Sequence, residues 1–315
     1  MTSPPREADV TAAAPAAIRA ALTRYPAPVQ WVVAVVQTAR PRQWPKNLLV
    51  FAAPLAGASL GRDDGLLYAL AAAAAFVAAS AAVYFVNDVM DAERDRQHPV
   101  KRFRAVASGR LSKAHALAMA ALGIVASLAV GFWIGEPGLS AVIGAYLVFS
   151  VLYSVKLKHV PVVELAFVAA GFVMRALGGA IATHVPPSAW FLLVCSLGAL
   201  MVAIAKRYTE LTMLHGDAAR HRPVMRWYSP SMLRVSQRVV ACAMVLAYLL
   251  WARAEQDPWM RGWHLASGLA LATALIRFDR LTAQAESRPV EDLIARDPLM
   301  ICCELAWLVM FGVGL

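Results

Sequence analysis

Three aspartates at regular spacing follow the second long apolar stretch of the chain. They are Asp88, Asp91 and Asp95, in the segment NDVMDAERD that begins at Asn87. If a helix continues through them, the spacing i, i+3, i+7 places all three carboxylates on one face. Carboxylates this close repel each other unless a cation neutralises them, and hard oxygen ligands suit Mg²⁺, which bridges to substrate phosphates. The segment therefore predicts a Mg²⁺ site; the alternative is a solvated helix end where Arg94 and Arg96 pair with the acids.

A run of basic residues follows these aspartates within the same loop. Lys101, Arg102 and Arg104 lie in the segment HPVKRFR, at 98–104. Carboxylates followed at once by clustered cations suit a phosphate-bearing substrate, because the metal takes some phosphate oxygens and the cationic side chains take others. The alternative is that these cations only anchor the loop at a membrane surface.

Polar residues at the ends of other apolar stretches are further candidates for substrate binding. Lys46 and Asn47 open the first stretch, where either an anion site or an interfacial anchor fits them. Tyr153 and Lys156 end the fourth stretch. At the end of the sixth, Lys206, Arg207 and Glu210 place one carboxylate among two cations, which suits an anion better than a metal.

Two charged residues, Glu164 and Arg175, fall inside the fifth apolar stretch. An ionised group within a membrane span is costly and usually faces a cavity or a partner. The two residues are about three helical turns apart and lie on roughly the same face. Arg175 is interpreted as a candidate for substrate binding, and the alternative is that the two charges neutralise each other or other helices; the role of Glu164 is left open.

The composition places these residues in a membrane protein. Of 315 residues, 60% are hydrophobic and 16% are charged, against about 25% charged residues in soluble domains. The apolar residues fall in blocks of about 18–24, the length that crosses the hydrocarbon core of a bilayer. We therefore predict an all-α polytopic membrane protein and exclude disorder, coiled coil and an ordinary soluble enzyme. Nine candidate spans lie at about 47–60, 65–87, 114–134, 138–155, 161–183, 188–205, 232–252, 262–276 and 298–314.

The distribution of positive charge predicts the orientation of the chain. The formal net charge is +10, which in a membrane protein usually reflects basic cytoplasmic loops and not nucleic-acid binding. From Arg40 onward, 23 Lys and Arg fall on one side, if Arg234 and Arg238 at the start of the seventh span are counted with the loop before it, and 3 fall in the loops of the other side. The N-terminus is thus predicted to be cytoplasmic, the C-terminus outside, and the two long charged loops to lie on the cytoplasmic side.

The domain organisation is predicted from composition. Residues 1–38 are expected to be a mobile N-terminal segment, with a short interfacial helix over Gln30–Thr38, and residues 39–315 a single transmembrane domain. The four cysteines lie inside apolar stretches without C-x-x-C spacing. They are interpreted as packing residues, with neither a disulfide nor a metal site implied.

Taken together, the motifs resemble those of the UbiA superfamily of intramembrane prenyltransferases, from about Arg40 onward. The resemblance rests on N-D-x-x-D-x-x-x-D at 87–95, H-P-x-K-R-x-R at 98–104, and the Tyr-Ser and Leu-Lys pairs within 153–158. It implies about nine transmembrane helices around a central cavity open to the cytoplasmic side. It also implies that Asp88, Asp91 and Asp95 are catalytic and bind Mg²⁺ together with a diphosphate.

Shorter segments are similar to a phosphoribosyl-transferring branch of that family, which acts in bacterial cell-wall arabinan synthesis. They lie at 40–47, 87–91, 101–104, 171–175 and 206–211. This similarity implies a bacterial plasma-membrane enzyme that uses 5-phosphoribosyl diphosphate (PRPP) as donor and a polyprenyl phosphate as acceptor, with the lipid tail among membrane lipids. Donor phosphates would be held by Lys101, Arg102, Arg104, Lys206 and Arg207, and the acceptor head by Lys46, Lys156 and Arg175.

Two other functions remain open from the sequence. Prenylating relatives usually carry a second Asp-rich motif after the sixth span, where this chain has Lys206, Arg207 and Glu210; this difference favours a donor with an additional phosphate over transfer of a polyprenyl chain to an aromatic acceptor. A transporter would place charges at the membrane midplane and show repeat symmetry, whereas the charges here crowd one surface. The oligomeric state is left open.

Overall fold

The computed structural model describes residues 26–62, 64–98, 100–213, 223–284 and 290–315. Within these ranges all regular secondary structure is helical, which confirms the predicted all-α class. We number the α-helices α1 (Ala27–Ala39), α2 (Ala52–Ala56), α3 (Gly65–Met90), α4 (Ala92–Gln97), α5 (Lys113–Trp133), α6 (Pro137–Val155), α7 (Val163–Ala182), α8 (Ala189–Met213), α9 (Pro230–Ala254), α10 (Pro258–Ala283), α11 (Val290–Arg296) and α12 (Pro298–Val313).

Six helices in the described ranges are long and apolar enough to cross a bilayer: α3, α5, α6, α7, α8 and α9. Each overlaps one of the predicted spans, because an uninterrupted apolar run of this length satisfies its own backbone hydrogen bonds only as a helix when water is absent. Helix α10 is also long but carries more charge, and α12 has 16 residues. The predicted count of nine spans is not confirmed.

The first predicted span, at about 47–60, has a different structure. A 3₁₀ helix covers Pro41–Phe51, and the five-residue helix α2 follows it. Pro54 lies within the predicted stretch, in the first turn of α2; inside a continuous helix over 47–60 it would have no N–H to donate to the helical ladder and would clash with the preceding turn. An apolar composition was therefore not sufficient for a regular α-helix here.

The chain divides into two compact units. The first comprises the residues up to Leu48 together with Ala71–Leu147. Its core joins Ala34 of α1 to Phe85 of α3, to Val106 and Leu111 of the loop after α4, and to Ala116 of α5. The loop is thus part of a packed core. The N-terminal helix predicted at Gln30–Thr38 is present as α1, whereas residues 1–25 lie outside the described part, and the helix's position at a membrane surface stays a prediction.

The second unit comprises Leu49–Leu70 and Val148–Leu315. In its core, Met201 and Ala205 of α8 pack with Phe278 of α10 and Cys303 of α12. Gly179 of α7 allows a close approach of the chain, since a Cβ on it would overlap the carbonyl oxygen of Val50. The prediction of one domain over 39–315 is not tested by this division into units.

Candidate functional site

The acidic motif lies where α3 gives way to α4. Helix α3 ends at Met90, and Asp91 occupies the turn before α4. Helical hydrogen bonds nevertheless continue across this turn, from the Asp91 amide to Asn87 O at 2.9 Å and from the Asp95 amide to Asp91 O at 2.8 Å. The backbone therefore keeps close to the helical course on which the predicted i, i+3, i+7 alignment depends.

Two of the three aspartates are buried and paired with arginines. Asp88 and Asp95 are each only 3% exposed. The Arg40 guanidinium donates to Asp88 at 2.6 Å, and Arg104 lies between the two acids, 2.8 Å from Asp95 and 3.5 Å from Asp88. We call these four residues the acid–arginine cluster. Its two carboxylates and two guanidinium groups balance in charge, as burial of ionised groups requires.

The third aspartate has a different environment. The Asp91 side chain is 34% exposed, and one Asp91 carboxylate oxygen lies 3.7 Å from the Arg94 guanidinium. Arg96 pairs with Glu93, and Lys113 and Arg96 hold the pKa of the Glu93 carboxyl below its ordinary value. In the part of the chain that the structure describes, no three His, Cys, Asp or Glu side chains converge as a ready-made metal site. The Mg²⁺ site predicted at Asp88, Asp91 and Asp95 thus stays a prediction.

The basic loop after the acids is held by two arginine side chains. Arg96 donates to Ala107 O at 3.1 Å, and Arg110 donates to Phe103 O and to the Gln37 side chain of α1, both at 2.9 Å. Arginine–carbonyl bonds of this kind replace secondary structure as partners for the loop backbone. The loop therefore has a fixed shape.

The three predicted phosphate ligands of this loop are placed differently. Lys101 and Arg102 are exposed, and the Arg102 guanidinium lies 4.9 Å from the centre of the Phe103 ring. Arg104 turns inward to the acid–arginine cluster. Lys101 and Arg102 are thus accessible to solvent, whereas Arg104 is held in an ion pair with Asp95.

Arg40 belongs to the acid–arginine cluster but was not among the candidate residues predicted from the sequence. It caps the C-terminus of α1 with a left-handed backbone (φ 53°), and its guanidinium lies 4.5 Å from the centre of the Tyr84 ring. A non-glycine residue in this region is uncommon and worth attention. The segment RPRQWPKN contributed Arg40 to the family resemblance, which was the one signal that could have singled it out.

The remaining predicted residues of the first unit lie near this cluster in sequence but have their own surroundings. Asn47 is buried, and Lys46 is half-buried and donates to the Gln43 side chain. Asn87 is half-buried and accepts the Asp91 amide at its carbonyl oxygen. Their predicted contacts with a substrate remain predictions.

A second ionic cluster lies in the second unit and centres on Arg207 of α8. Its guanidinium donates to Glu164 at 2.6 Å and to Glu210 at 2.7 Å, and it lies 3.5 Å from the Tyr153 hydroxyl. Glu164 is fully buried and Arg207 nearly so. We call these residues the Arg207 cluster. Glu164 therefore neutralises a charge on another helix, Arg207.

A strained turn fixes Glu164 in that position. The Val163 amide donates to Pro161 O at 2.7 Å, and Val162 between them has φ 65° and ψ −49°. These values describe a γ-turn of the rare, strained kind. The Tyr228 hydroxyl accepts the Val162 amide at 2.9 Å; burial raises the pKa of this tyrosine, an effect that the same amide opposes. A strained backbone persists only where its surroundings hold it.

Three further predicted ligands of the second unit are dispersed. Arg175 is buried in α7 and donates to the Gly171 carbonyl. Lys156 is exposed and Lys206 is half-buried. Their predicted roles toward an acceptor or donor phosphate are not tested by these positions.

The fold and these ionic clusters define a class: a multi-pass helical membrane protein with charged side chains collected at the ends of its apolar helices. A family model described as the UbiA prenyltransferase family matches residues 47–291. The chain belongs to this family, and it is a transferase of the UbiA prenyltransferase type.

Two curated relatives match nearly the whole chain. The decaprenyl-phosphate phosphoribosyltransferase of Mycobacterium tuberculosis is 38% identical over 90% of this chain and 95% of its own length. The protein of the same name from Mycolicibacterium smegmatis is 34% identical, over 91% and 94%.

Solved structures support the same fold. A UbiA homolog from Archaeoglobus fulgidus, solved with GPP and Mg²⁺ bound, aligns with a TM-score of 0.66 over 89% of this chain and 98% of its own. Its identity to this chain is 14%, so the likeness establishes the fold alone.

Proposed function

We propose that this protein transfers the 5-phosphoribosyl group of PRPP to decaprenyl phosphate, or a similar polyprenyl phosphate, and releases diphosphate. The proposal is carried by one observation: the phosphoribosyltransferases named above match this chain over nine-tenths of its length. It agrees with the family resemblance of the motifs, and it places the enzyme in the precursor supply of cell-wall arabinan.

The reaction requires charge stabilisation more than proton transfer. A phosphate oxygen of the acceptor forms a bond to C1 of the ribose, while the bond from C1 to the diphosphate oxygen breaks and its electron pair leaves with diphosphate. A phosphate monoester is already anionic near pH 7, so no strong general base is needed. The protein's task is to align the two substrates and to stabilise the leaving group.

The acid–arginine cluster fits a divalent cation by its chemistry. Asp88 and Asp95 supply carboxylate oxygens, the ligands that Mg²⁺ prefers, and the two positive charges now beside them equal the charge of one Mg²⁺ ion. Asp91, one turn from each, would be a further ligand. When bound, Mg²⁺ would neutralise charge that develops on the leaving diphosphate.

Cationic side chains would hold the remaining phosphates. Lys101 and Arg102 are exposed on a loop of fixed shape, which suits capture of a donor phosphate. Lys206 and Arg207 are proposed as further donor contacts. For the acceptor head we propose Lys46, Lys156 and Arg175, with Asn47, Asn87, Tyr153 and Glu210 as supporting polar residues.

We also propose that the enzyme lies in the bacterial plasma membrane with its N-terminus in the cytoplasm. PRPP is a soluble metabolite with several negative charges, so a site for it must open to an aqueous compartment. The loops that carry the basic residues, 98–112 among them, would then face the cytoplasm.

The assay is direct. Purified protein is incubated with radiolabelled PRPP, Mg²⁺ and polyprenyl phosphate, and the lipid fraction is extracted and counted. Label in the lipid that requires both the acceptor and the protein is the expected result. Transfer of a prenyl group from its diphosphate to 4-hydroxybenzoate, at a rate comparable with ribosyl transfer, would instead identify an aromatic prenyltransferase.

A further inference from the structure

The acid–arginine cluster has a charge balance that depends on its arginines. Asp88 and Asp95 are buried, and they pair with the guanidinium groups of Arg40 and Arg104. A buried carboxylate cannot remain ionised without a compensating charge at hand. A divalent cation that binds Asp88 Oδ1 or Asp95 Oδ2 therefore has to replace the guanidinium groups already bound at those oxygens.

The Arg40 side chain is positioned so that it can move away from Asp88. Its side chain is 30% exposed, whereas the carboxylate it binds is 4% exposed. It lies at the end of α1 with a left-handed backbone, and its planar group lies near the Tyr84 ring. Since a guanidinium group binds phosphate as readily as carboxylate, a phosphate nearby offers Arg40 an equivalent partner.

We propose that a divalent cation and the pair Arg40 and Arg104 alternate as the counter-charge of Asp88 and Asp95. In the ligand-free protein the two arginines balance the acids. When the metal binds, the guanidinium groups are released and bind the phosphate oxygens of the substrate that arrives with it. This inference rests on the metal site of the proposed function and adds to it a residue, Arg40, and an exchange.

The exchange has a thermodynamic consequence. A metal ion alone must displace two arginines that then have no partner, so it binds weakly. A metal that arrives with a diphosphate provides those arginines with new partners, so each ligand strengthens the binding of the other. The protein would thereby avoid holding a metal in the absence of substrate.

The first test measures metal binding without any substrate. Mn²⁺ is titrated into purified wild-type protein and into Arg40→Gln, and the Mn²⁺ retained with the protein on ultrafiltration is counted. Arg40→Gln should bind Mn²⁺ at least about tenfold more tightly than wild type, because a competing charge-assisted hydrogen bond has been removed. Arg42→Gln is the matched control: Arg42 is exposed in the same 3₁₀ segment, and its affinity should equal that of wild type.

The second test adds inorganic diphosphate, whose complex with Mn²⁺ passes the filter unless the protein holds it. Diphosphate should increase retained Mn²⁺ strongly in wild type and much less in Arg40→Gln. Arg40→Lys keeps the positive charge but replaces the planar guanidinium group by a compact, more strongly hydrated ammonium group, so its metal affinity should lie between those of the other two proteins. A melting curve shows whether Arg40→Gln is folded. If it is not, the comparison is made between Arg40→Lys and wild type.

Mn²⁺ affinities in the Arg40 variants equal to that of wild type would overturn the exchange, as would a wild-type affinity unaffected by diphosphate. These results are independent of the donor's identity. If diphosphate promotes metal binding as expected but PRPP yields no labelled lipid, the proposed reaction fails and the exchange stands. If ribosyl transfer occurs while the Arg40 variants bind metal normally, the exchange alone fails.

Discussion

The three aspartates of the acidic motif differ in what their removal would cost. Neighbouring carboxylates repel each other, but Asp88 and Asp95 are paired with guanidinium groups. Removal of one member of a buried pair leaves an uncompensated charge. Asp91, which is partly exposed, is therefore the residue at which catalysis can be separated from stability.

Asp91→Asn should lower the rate of ribosyl transfer about a hundredfold, equivalent to about 2.7 kcal/mol of transition-state stabilisation, with little change in melting temperature. The substitution keeps the side-chain shape but removes a charge from the proposed metal ligands. Transfer is measured at saturating Mg²⁺, alongside thermal unfolding in detergent. Glu93→Gln is the control, because Glu93 is exposed and pairs with Lys113 and Arg96. Normal transfer by Asp91→Asn would exclude Asp91 from the metal site.

Glu164 illustrates the opposite case, a buried acid whose removal should act on stability. Glu164→Gln leaves the nearly buried Arg207 without its fully buried partner and should destabilise the protein by about 3 kcal/mol, measured by chemical unfolding in micelles. Glu210→Gln should cost clearly less, since Glu210 is 32% exposed and water can replace the lost contact. If the two substitutions destabilised the protein equally, burial of the carboxylate would not determine how much each ion pair with Arg207 contributes to stability.

Local spacing identified the acidic residues, but not their partners. The i, i+3, i+7 pattern singled out Asp88, Asp91 and Asp95 because it depends only on one helix. The bond from Arg40 to Asp88 joins residues 48 apart, and that from Arg207 to Glu164 joins residues 43 apart. No periodicity encodes such pairs, so the sequence could indicate that charges inside a span need partners without showing which ones.

At the scale of helices, close packing is decisive where α7 meets the 3₁₀ segment. Gly179→Ala would place a methyl group against the Val50 carbonyl and should destabilise the second unit by about 1–3 kcal/mol or more, as overpacking does. Gly144→Ala in α6 is the control, since its Cβ would meet only a leucine methyl at 4.0 Å; it should be neutral or slightly stabilising. Thermal unfolding of both variants in the same detergent gives the comparison, and equal midpoints would contradict the close approach.

Asp297 joins the start of α12 to α10 and should give a pH-dependent stability. Its carboxylate accepts the Met300 amide and pairs with Arg277, and Arg277 is the main cause of its lowered pKa. Because the native pKa is lower than the unfolded one, the stabilisation is full above about pH 4 and is lost as the pH falls through the native value.

Asp297→Ser keeps a capping oxygen but removes the ion pair. It should melt below wild type at pH 7, and the difference should narrow as the pH is lowered toward 3. Asp257→Ser is the control, since Asp257 caps α10 through the Trp259 and Met260 amides and a serine preserves that role. A difference that stays constant with pH would exclude the ion pair as its cause.

Elements were predictable where length and apolarity agreed. Helices α3 and α5 to α9 lie where uninterrupted apolar runs predict them, because the bilayer leaves an apolar segment of that length no other structure. The structure differs from the expected continuous helix at 47–60, where a 3₁₀ segment and the five-residue helix α2 are present and Pro54 lies within the stretch. Hydropathy averages over a window, whereas one missing N–H acts at a single position.

For the whole molecule, orientation is the property that follows from charge counting and still needs a test. In a variant without its four native cysteines, Pro186→Cys should react with an impermeant maleimide added to intact cells, and Gln97→Cys should react only after lysis. Both positions are exposed in the structure, so protection would report the membrane and not burial. The opposite labelling pattern would invert the proposed topology.

The length of α3 has a consequence for the lipid around the enzyme. Its apolar part, Gly65–Val86, extends about 33 Å, slightly longer than the roughly 30 Å hydrocarbon core of a bilayer, and Asp88 follows two residues later. Such a hydrophobic mismatch is absorbed by tilt or by local thickening of the bilayer. The depth of Asp88 below the headgroups is thereby tied to the thickness of the host membrane, so acyl-chain length becomes a determinant of how readily water-soluble ions reach the acid–arginine cluster.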